Sequence, residues 1–368
     1  MKENFLSIVW YKILPAHYGG QQGIAHFNTY LGAKTKLTCL CSSDNNTNEN
    51  LSYELRPLLP VSKTQFINPV TRRKIVSVIK KNKYSHIILE HPYHAWLAKY
   101  KQALNFKLIV HAHNIEFIRM KMRKKWWWPW VKYTEKNAFK NADYILFKTE
   151  KDKALAKNIF GINEDKCLLV PYGVNNSDYP QNHHHANEVI KKKYGLGVED
   201  KILLFTGSLN YEPNEQAVKS IIKNILPALE QKANFPFKII ITGNQSPENI
   251  NRLNSCKNII ATGFVDTIET YFQGADVFLN PVVSGSGIQT KNFDALANGL
   301  SVAATFFSAE GLPGYLSGEK ILIAENNNWG RFADNIIRLV ENPLPTPHKF
   351  YTDFYWGNIV DKTLSKVL

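Results

Sequence analysis

Cysteine is scarce, with only Cys39, Cys41, Cys167 and Cys256 in 368 residues. None has a metal-ligand or redox spacing, and Cys39 and Cys41 fall on one face of a strand, so the four read as buried free thiols of a reducing compartment. Long apolar runs are also missing, and no stretch approaches the length a membrane-spanning helix needs. The opening MKEN leads directly into a strand-like run, FLSIVWYKIL, without the pattern of a signal peptide. These absences predict a cytoplasmic protein. They leave open a peripheral place on the inner face of the plasma membrane.

Hydrophobic residues make up 44% of the chain and aromatics 12%. That is ample for burial and excludes disorder as the dominant state. A chain of 368 residues exceeds what one core usually supports, so two domains are expected. The net charge of +14 is placed unevenly, with 28 Lys and Arg against 13 Asp and Glu in residues 1–185, and 17 against 18 in residues 186–368. Its densest part is RMKMRKKWWWPWVK (119–132), where Arg119, Lys121, Arg123, Lys124, Lys125 and Lys132 interleave with four tryptophans. Two readings fit this run. In one, Lys124, Lys125, Trp127 and Trp128 form a face for an anionic membrane or an acceptor, because cations attract anionic headgroups and Trp favours the interface. In the other, the run is a solvated basic helix face with one or two Trp packed on the domain.

Strand-like runs at 37–41, 86–89, 107–110, 144–148 and 167–170 alternate with helix-like runs at 22–31, 71–82 and 130–140. This predicts a doubly wound parallel sheet. A polar break, NNSDYPQNHHHAN (175–187), reads as the interdomain linker, with the linker bounds set at 181–190. Three adjacent histidines there lack ligand geometry. The alternation resumes at 202–205, 217–229, 238–242, 259–262, 268–273, 276–279, 292–297 and 301–305, predicting a second Rossmann-like domain over 191–345. The first domain is set at 1–180, and 346–368 is expected to return to it. SSDNNTNEN (42–50) reads as a mobile surface loop.

The most informative segment begins at Asn280, where NPVVSGSGIQTKNFDALANG runs from the end of a strand through a Ser/Gly loop into a helix starting near Gln289. A strand, a glycine turn and a fresh helix N-terminus make an anion site. Backbone N–H groups of Gly287, Ile288 and Gln289 are expected to serve it, with Lys291 one turn in. Asp294, three residues on, is placed to accept hydrogen bonds from paired sugar hydroxyls. Other motifs follow in order along the chain: PAHYGG (15–20), HAHNIE (111–116), YTE (133–135), NADY (141–144), PYGVN (171–175), FTGSLNYEPN (205–214), ITGN (241–244), TGFVD (262–266) and FYWGNI (354–359).

In this order and over nearly the whole chain, these motifs resemble the family 4 glycosyltransferases, a group of retaining enzymes with the GT-B architecture. The resemblance implies an α/β fold of two Rossmann-like, doubly wound domains facing across a cleft. It implies a nucleotide-sugar donor, a saccharide or lipid-linked acceptor in envelope polysaccharide or glycolipid synthesis, and no metal or other cofactor. It places Gly19, Gly20, Gly207, Ser208, Gly263, Phe264, Val265, Ser286, Gly287, Ile288, Gln289, Thr290, Lys291 and Asp294 around the donor. His113, Asn114 and Glu116 are then the catalytic candidates. His113 is favoured over His111, which is expected to point the other way along its strand.

Two departures stand out. Many members carry an arginine and a lysine after the glycine matching Gly207, where this chain has Ser208, Asn210 and Glu212. Many also have a glutamate eight positions before the residue matching Asp294, and here that region is Ser284–Ser286. An epimerase or phosphorylase on the same fold, or a sugar- or nucleic-acid-binding module built on a decayed transferase, are the competing readings. Nucleic acid is not the expected partner.

Overall fold

The computed structural model describes residues 3–46, 50–285 and 287–368. It comprises two units, Met1–Gly173 with Trp356–Leu368, and Val174–Tyr355.

In the first unit, seven strands form one sheet: β1 (Asn4–Val9), β2 (Lys36–Ser42), β3 (Glu54–Leu59), β4 (His86–Glu90), β5 (Lys107–Ala112), β6 (Tyr144–Phe147) and β7 (Cys167–Leu169). Their order is β3-β2-β1-β4-β5-β6-β7, and every pairing is parallel. The central strands are apolar on both faces because helices cover both sides, so nearly every residue of β1, β4 and β5 is buried. Strand order reverses between β1 and β4, which makes the carboxyl ends of the neighbouring strands the expected ligand edge.

The second unit has six strands: β8 (Lys201–Thr206), β9 (Phe237–Thr242), β10 (Ile259–Gly263), β11 (Val277–Asn280), β12 (Ser301–Thr305) and β13 (Ile321–Ala324). The order is β10-β9-β8-β11-β12-β13, again all parallel. Its reversal lies between β8 and β11, which places Gly207 and the 281–289 loop at the equivalent edge. The run expected as one helix over 217–229 is broken. A helix Glu212–Ser220 passes through a π turn, Ile221–Ile225, into Leu226–Lys232, at the point where Pro227 cannot donate an i→i−4 bond.

The expected linker is not one. His183–Tyr194 is a helix of the second unit, with Ala186 and Ile190 buried. It lies so close to the helix Ile268–Gly274 that a Cβ on Gly274 would come within 2.7 Å of the Ala186 backbone. His183 accordingly contacts the Gln273 carbonyl at 2.6 Å. The chain instead passes between units at Gly173 and Val174. The returning segment is also shorter than expected. The helix His348–Phe354 stays with the second unit, where Tyr351 donates to the Ala297 carbonyl at 3.1 Å. Only the helix Trp356–Val367 belongs to the first. Its Trp356 is fully buried, and a Cβ on Gly173 would reach the ring at 2.4 Å.

Part of the 42–50 loop is a packed plug. Asn45 is 3% exposed and accepts from the Ile13 and Leu14 N–H groups at 2.7 and 2.9 Å. Thr47, Asn48 and Glu49 lie outside the described residues.

Candidate active site

Three glycines end neighbouring strands of the second unit in a row. The N–H of Gly207 donates to the Thr242 carbonyl at 2.9 Å, and that of Gly243 to the Gly263 carbonyl at 2.9 Å. Gly243 has φ +133, and a Cβ there would come within 2.2 Å of the Gly207 carbonyl oxygen. No side chain fits, and backbone is left bare at the strand ends.

Beside this row, the helix Thr290–Ala297 begins one residue later than expected. Gln289 stands as an N-cap whose side chain makes no cap bond. The free N–H groups of the first turn therefore start at Thr290, while Gly287 (φ +77), Ile288 and Gln289 belong to the approach. Ser286 lies outside the described residues.

Lys291 reaches back to β8. Its Nζ donates to the Thr206 carbonyl at 3.2 Å and to Asn214 Oδ1 at 3.1 Å, and it lies 4.5 Å from the Phe205 ring centre. Asn214 also holds the glycine loop, through Nδ2 to the Ser208 carbonyl at 3.0 Å. Lys291, Gly207 and Ser208 are thus brought together by a residue the motif analysis passed over. No carboxylate pairs with Lys291 among the described residues, and burial pulls its pKa down to about 7. Asp294 makes no ion pair with it. Burial, followed by the charge of Glu269, pushes Asp294 up to about 7.

The TGFVD loop lines a cavity of about 540 Å³ with Thr262, Phe264, Val265 and Asp266, opposite Lys193 and Tyr194. Phe264 is 69% exposed.

In the first unit the strand ends carry charge instead of glycine. Glu90 ends β4 fully buried, and its Oε2 lies 2.6 Å from His113 Nε2 and 3.0 Å from His111 Nδ1. His111 therefore does not point away from His113. Residues i and i+2 share a strand face, and the two rings lie 4.3 Å apart. Burial alone would raise the Glu90 carboxyl, but the two histidines outweigh it and hold the group well below the usual carboxylate range. Burial pushes both imidazoles down, to about 4 for His111 and about 3 for His113.

Lys148, just past β6, is buried with its Nζ unbonded, 5.5 Å from the Trp356 ring centre. Burial draws its pKa down to about 8, against the attraction of Glu90. His91 follows Glu90 with φ +79, an unusual conformation for a side chain with a Cβ. Its ring lies 4.7 Å from His113 and its Nδ1 3.9 Å from Glu116 Oε1. Glu116 is buried, accepting from Tyr93 at 2.8 Å and Arg119 at 2.9 Å. Asn114 is half-buried in the turn between His113 and the helix Glu116–Met122. Gly19 and Gly20 open the helix Gly19–Lys34, where Gln21 accepts from the His17 N–H at 2.8 Å. A Cβ on Gly20 would meet nothing within 4 Å, so the chain's own packing does not demand glycine there.

Glu90, His111 and His113 form the one group among the described residues that offers three ligand atoms together, all within 4.8 Å. Donors around tetrahedral zinc sit roughly 3.3 Å apart, given bonds of about 2.0–2.1 Å. The 2.6 Å contact of Glu90 with His113 is a hydrogen bond, and its distance does not fit such a shell.

The basic run needs one correction. Trp127 and Trp128 are half-buried and pack on the core, with Lys125 and Lys121 over their rings at 5.7 and 5.3 Å. Their neighbours Met122, Trp126 and Tyr133 are far more exposed, at 70%, 85% and 71%. Lys63, 5.9 Å from the Trp127 ring, joins them to a loop whose Val61 and Ile67 are also exposed. Residues 55–134 hold 17 Lys and Arg against two acids, Glu90 and Glu116, both buried. No helix among the described residues is long and apolar enough to cross a membrane.

Comparison with known proteins agrees with this architecture. Residues 19–178 match the family described as Glycosyltransferase Family 4, and residues 200–342 the one described as Glycosyl transferases group 1. An uncharacterized 44.6 kDa protein in the cps region of Klebsiella pneumoniae is 25% identical over 294 residues, 74% of this chain and 69% of that protein. Among solved structures, the sucrose-phosphate synthase of Thermosynechococcus elongatus superposes with a TM-score of 0.74 at 15% identity, covering 99% of this chain and 98% of that one. The Anabaena protein Alr3699/HepE, in complex with UDP-glucose, does so at 0.70 and 12% identity, covering 99% and 100%. These likenesses show a two-domain GT-B fold.

Proposed function

The chain belongs to the group 1, family 4 glycosyltransferases, and we propose that it is a retaining enzyme moving a sugar from a nucleoside-diphosphate donor to a saccharide or lipid-linked acceptor. The observation that carries this reading is Lys291, a half-buried cation with no carboxylate partner among the described residues, fixed beside bare strand-end backbone. A diphosphate supplies the missing negative charge, and bound UDP-glucose in the Anabaena neighbour supports a donor of that class.

In the transfer, the bond from the anomeric carbon to the phosphate oxygen breaks, and the acceptor oxygen bonds to that carbon on the same face. The departing phosphate takes the acceptor's proton, so no separate base is required. The protein's task is to stabilise the charge developing on the diphosphate, with Lys291 and the N–H groups of the helix's first turn from Thr290. Asp294 accepts from sugar hydroxyls as its carboxylate. The chemistry is proposed to need no metal. Synthesis of cell-envelope polysaccharide or glycolipid, at the cytoplasmic face of an anionic membrane, fits the acid-free exposed surface of residues 55–134 and the setting named for the Klebsiella relative.

The test is turnover of a panel of nucleotide sugars with oligosaccharide and lipid acceptors, with NMR of the first-formed glycoside. An inverted anomeric centre, or binding without turnover across the panel, would reject this reading.

A further inference from the structure

The group at the ends of β4 and β5 decides what His113 can do. An ionised carboxylate only accepts hydrogen bonds. Glu90 lies within bonding distance of His113 Nε2 and His111 Nδ1 together, so both nitrogens carry the hydrogen. His111 is thereby held as the Nδ1–H tautomer, the less stable form of a free imidazole, and its Nε2 is left buried without a partner. His113 is held as the Nε2–H tautomer. Its Nδ1 has no hydrogen-bond partner among the described residues, and its side chain, 10% exposed, is the only one of the three that reaches the surface.

We infer that Glu90 is a positioning residue that fixes His113 as an acceptor-only hydroxyl-recognition site, so that His113 Nδ1 receives a hydrogen bond from a sugar hydroxyl and does not act as a proton donor or anion ligand. The groups facing His113 favour this state. Glu90 supplies a fixed negative charge. His111 and His91, 4.3 and 4.7 Å away ring to ring, are buried and neutral, and the Lys148 cation opposes a second positive charge. A phosphate would meet a lone pair and a carboxylate there. A hydroxyl meets an acceptor aimed outward. The identification of the hydroxyl as one on a sugar rests on the glycosyltransferase reading, whereas the tautomers do not.

Long-range ¹H–¹⁵N NMR on histidine-labelled protein reads both tautomers directly, with His111→Gln and His113→Gln assigning the signals. The expected result is His111 with Nδ1–H and His113 with Nε2–H, neither titrating between about pH 5 and 8. His113 should stay unprotonated at Nδ1 on addition of inorganic phosphate or UDP-glucose. In Glu90→Leu the acceptor shared by both rings is gone, so nothing holds His111 in the less stable Nδ1–H form, and its signals should move to the Nε2–H pattern. His111→Gln leaves the Glu90–His113 bond in place and should not alter His113. An Nδ1–H His113, its protonation in that pH range or on adding either probe, or a His111 still in the Nδ1–H form in Glu90→Leu would overturn the inference. If Glu90→Leu fails to fold, the wild-type tautomers and the His111→Gln control still decide it. UDP-glucose giving no thermal stabilisation would count against the transferase reading alone.

Discussion

Both units bury charge at the carboxyl ends of parallel strands, yet they handle it in opposite ways. In the first unit Glu90 is matched by two donors within 2.6–3.0 Å, and the acid is ionised between neutral imidazoles. In the second unit Lys291 and Asp294 are half-buried without partners of opposite charge among the described residues, and both pKa values are drawn towards about 7. Removing a buried charge from water is costly unless it is paired. The first site is therefore complete in itself and holds a fixed geometry. The second has no opposite charge of its own among the described residues, which is the gap the proposed donor fills.

The largest effect that separates them is on anion binding. Lys291→Ala should weaken UDP binding by about 10- to 100-fold, the equivalent of losing a charge-assisted hydrogen bond worth roughly 1.5–3 kcal/mol. Lys148→Ala, which removes the buried cation of the first unit, should change it less than about threefold. Titration calorimetry compares the two, and the reverse order would exchange the roles assigned to the units.

The next effect is on stability, with opposite signs. His111, His113 and His91 have folded pKa values depressed below the ordinary 6.5, and Glu90 is depressed below its own. Their contribution is present above about pH 6.5 and is lost as pH falls through the folded values. Glu135, raised to about 8 by burial, opposes them as a single group and is partly offset by the N–H bonds it accepts from Glu116 and Phe117. Asp294 is raised, so its contribution is full below its ordinary pKa of 3.8 and is lost as pH rises through about 7. Acidification from about pH 7 to 5 should thus loosen the first unit and relieve the second. Seven of the eight tryptophans lie in the first unit, so tryptophan fluorescence follows that unit, and hydrogen exchange follows each separately. Asp294→Asn should flatten the response of the second unit and raise its melting temperature at pH 8 by roughly 2–4 °C per kcal/mol relieved. Equal pH slopes in both units would break the comparison.

A smaller effect concerns surfaces. Binding to vesicles rich in anionic lipid should fall several-fold as salt rises from about 0.1 to 0.5 M. It should also fall in Met122→Ser/Trp126→Ser and in Val61→Ser/Ile67→Ser, while charge changes on the near-neutral second unit leave it unaltered. Insensitivity of vesicle binding to both pairs would return the segment to ordinary surface. The smallest effect is expected from EDTA, which should change turnover by less than about twofold. Loss restored by magnesium or manganese would contradict that.

Much of the fold was legible because buried parallel strands are nearly continuous apolar runs, as in HIILE and KLIVHA. The edges were not. β3, ELRPLL, is half exposed and carries Arg56 and Pro57, so it has neither an apolar run nor a period of two. The helix His183–Tyr194 was read as linker because only Ala186 and Ile190 of its twelve residues are buried.

Of the candidate site, Lys291, Gly207 and His113 could be found from local motifs. Asn214 and Glu90 could not, since each matters through a partner distant in sequence: Lys291 for the one, His111 and His113 for the other. A signal for Glu90 was present all the same, as a lone carboxylate ending the apolar run 87–89 beside a second strand whose end carries His111 and, just past it, His113. The misplacement of His111 came from counting the strand alternation wrongly, since i and i+2 lie on one face.

The claim that the second site waits for a ligand's charge is open to a direct measurement, calorimetry of UDP binding at about pH 8 in buffers of different ionisation enthalpy. At that pH most of Lys291 is neutral in the free protein, and a bound diphosphate should restore its proton. The account predicts uptake of nearly one proton per UDP bound, abolished in Lys291→Ala. Binding without proton uptake, or uptake that persists in that variant, would contradict it.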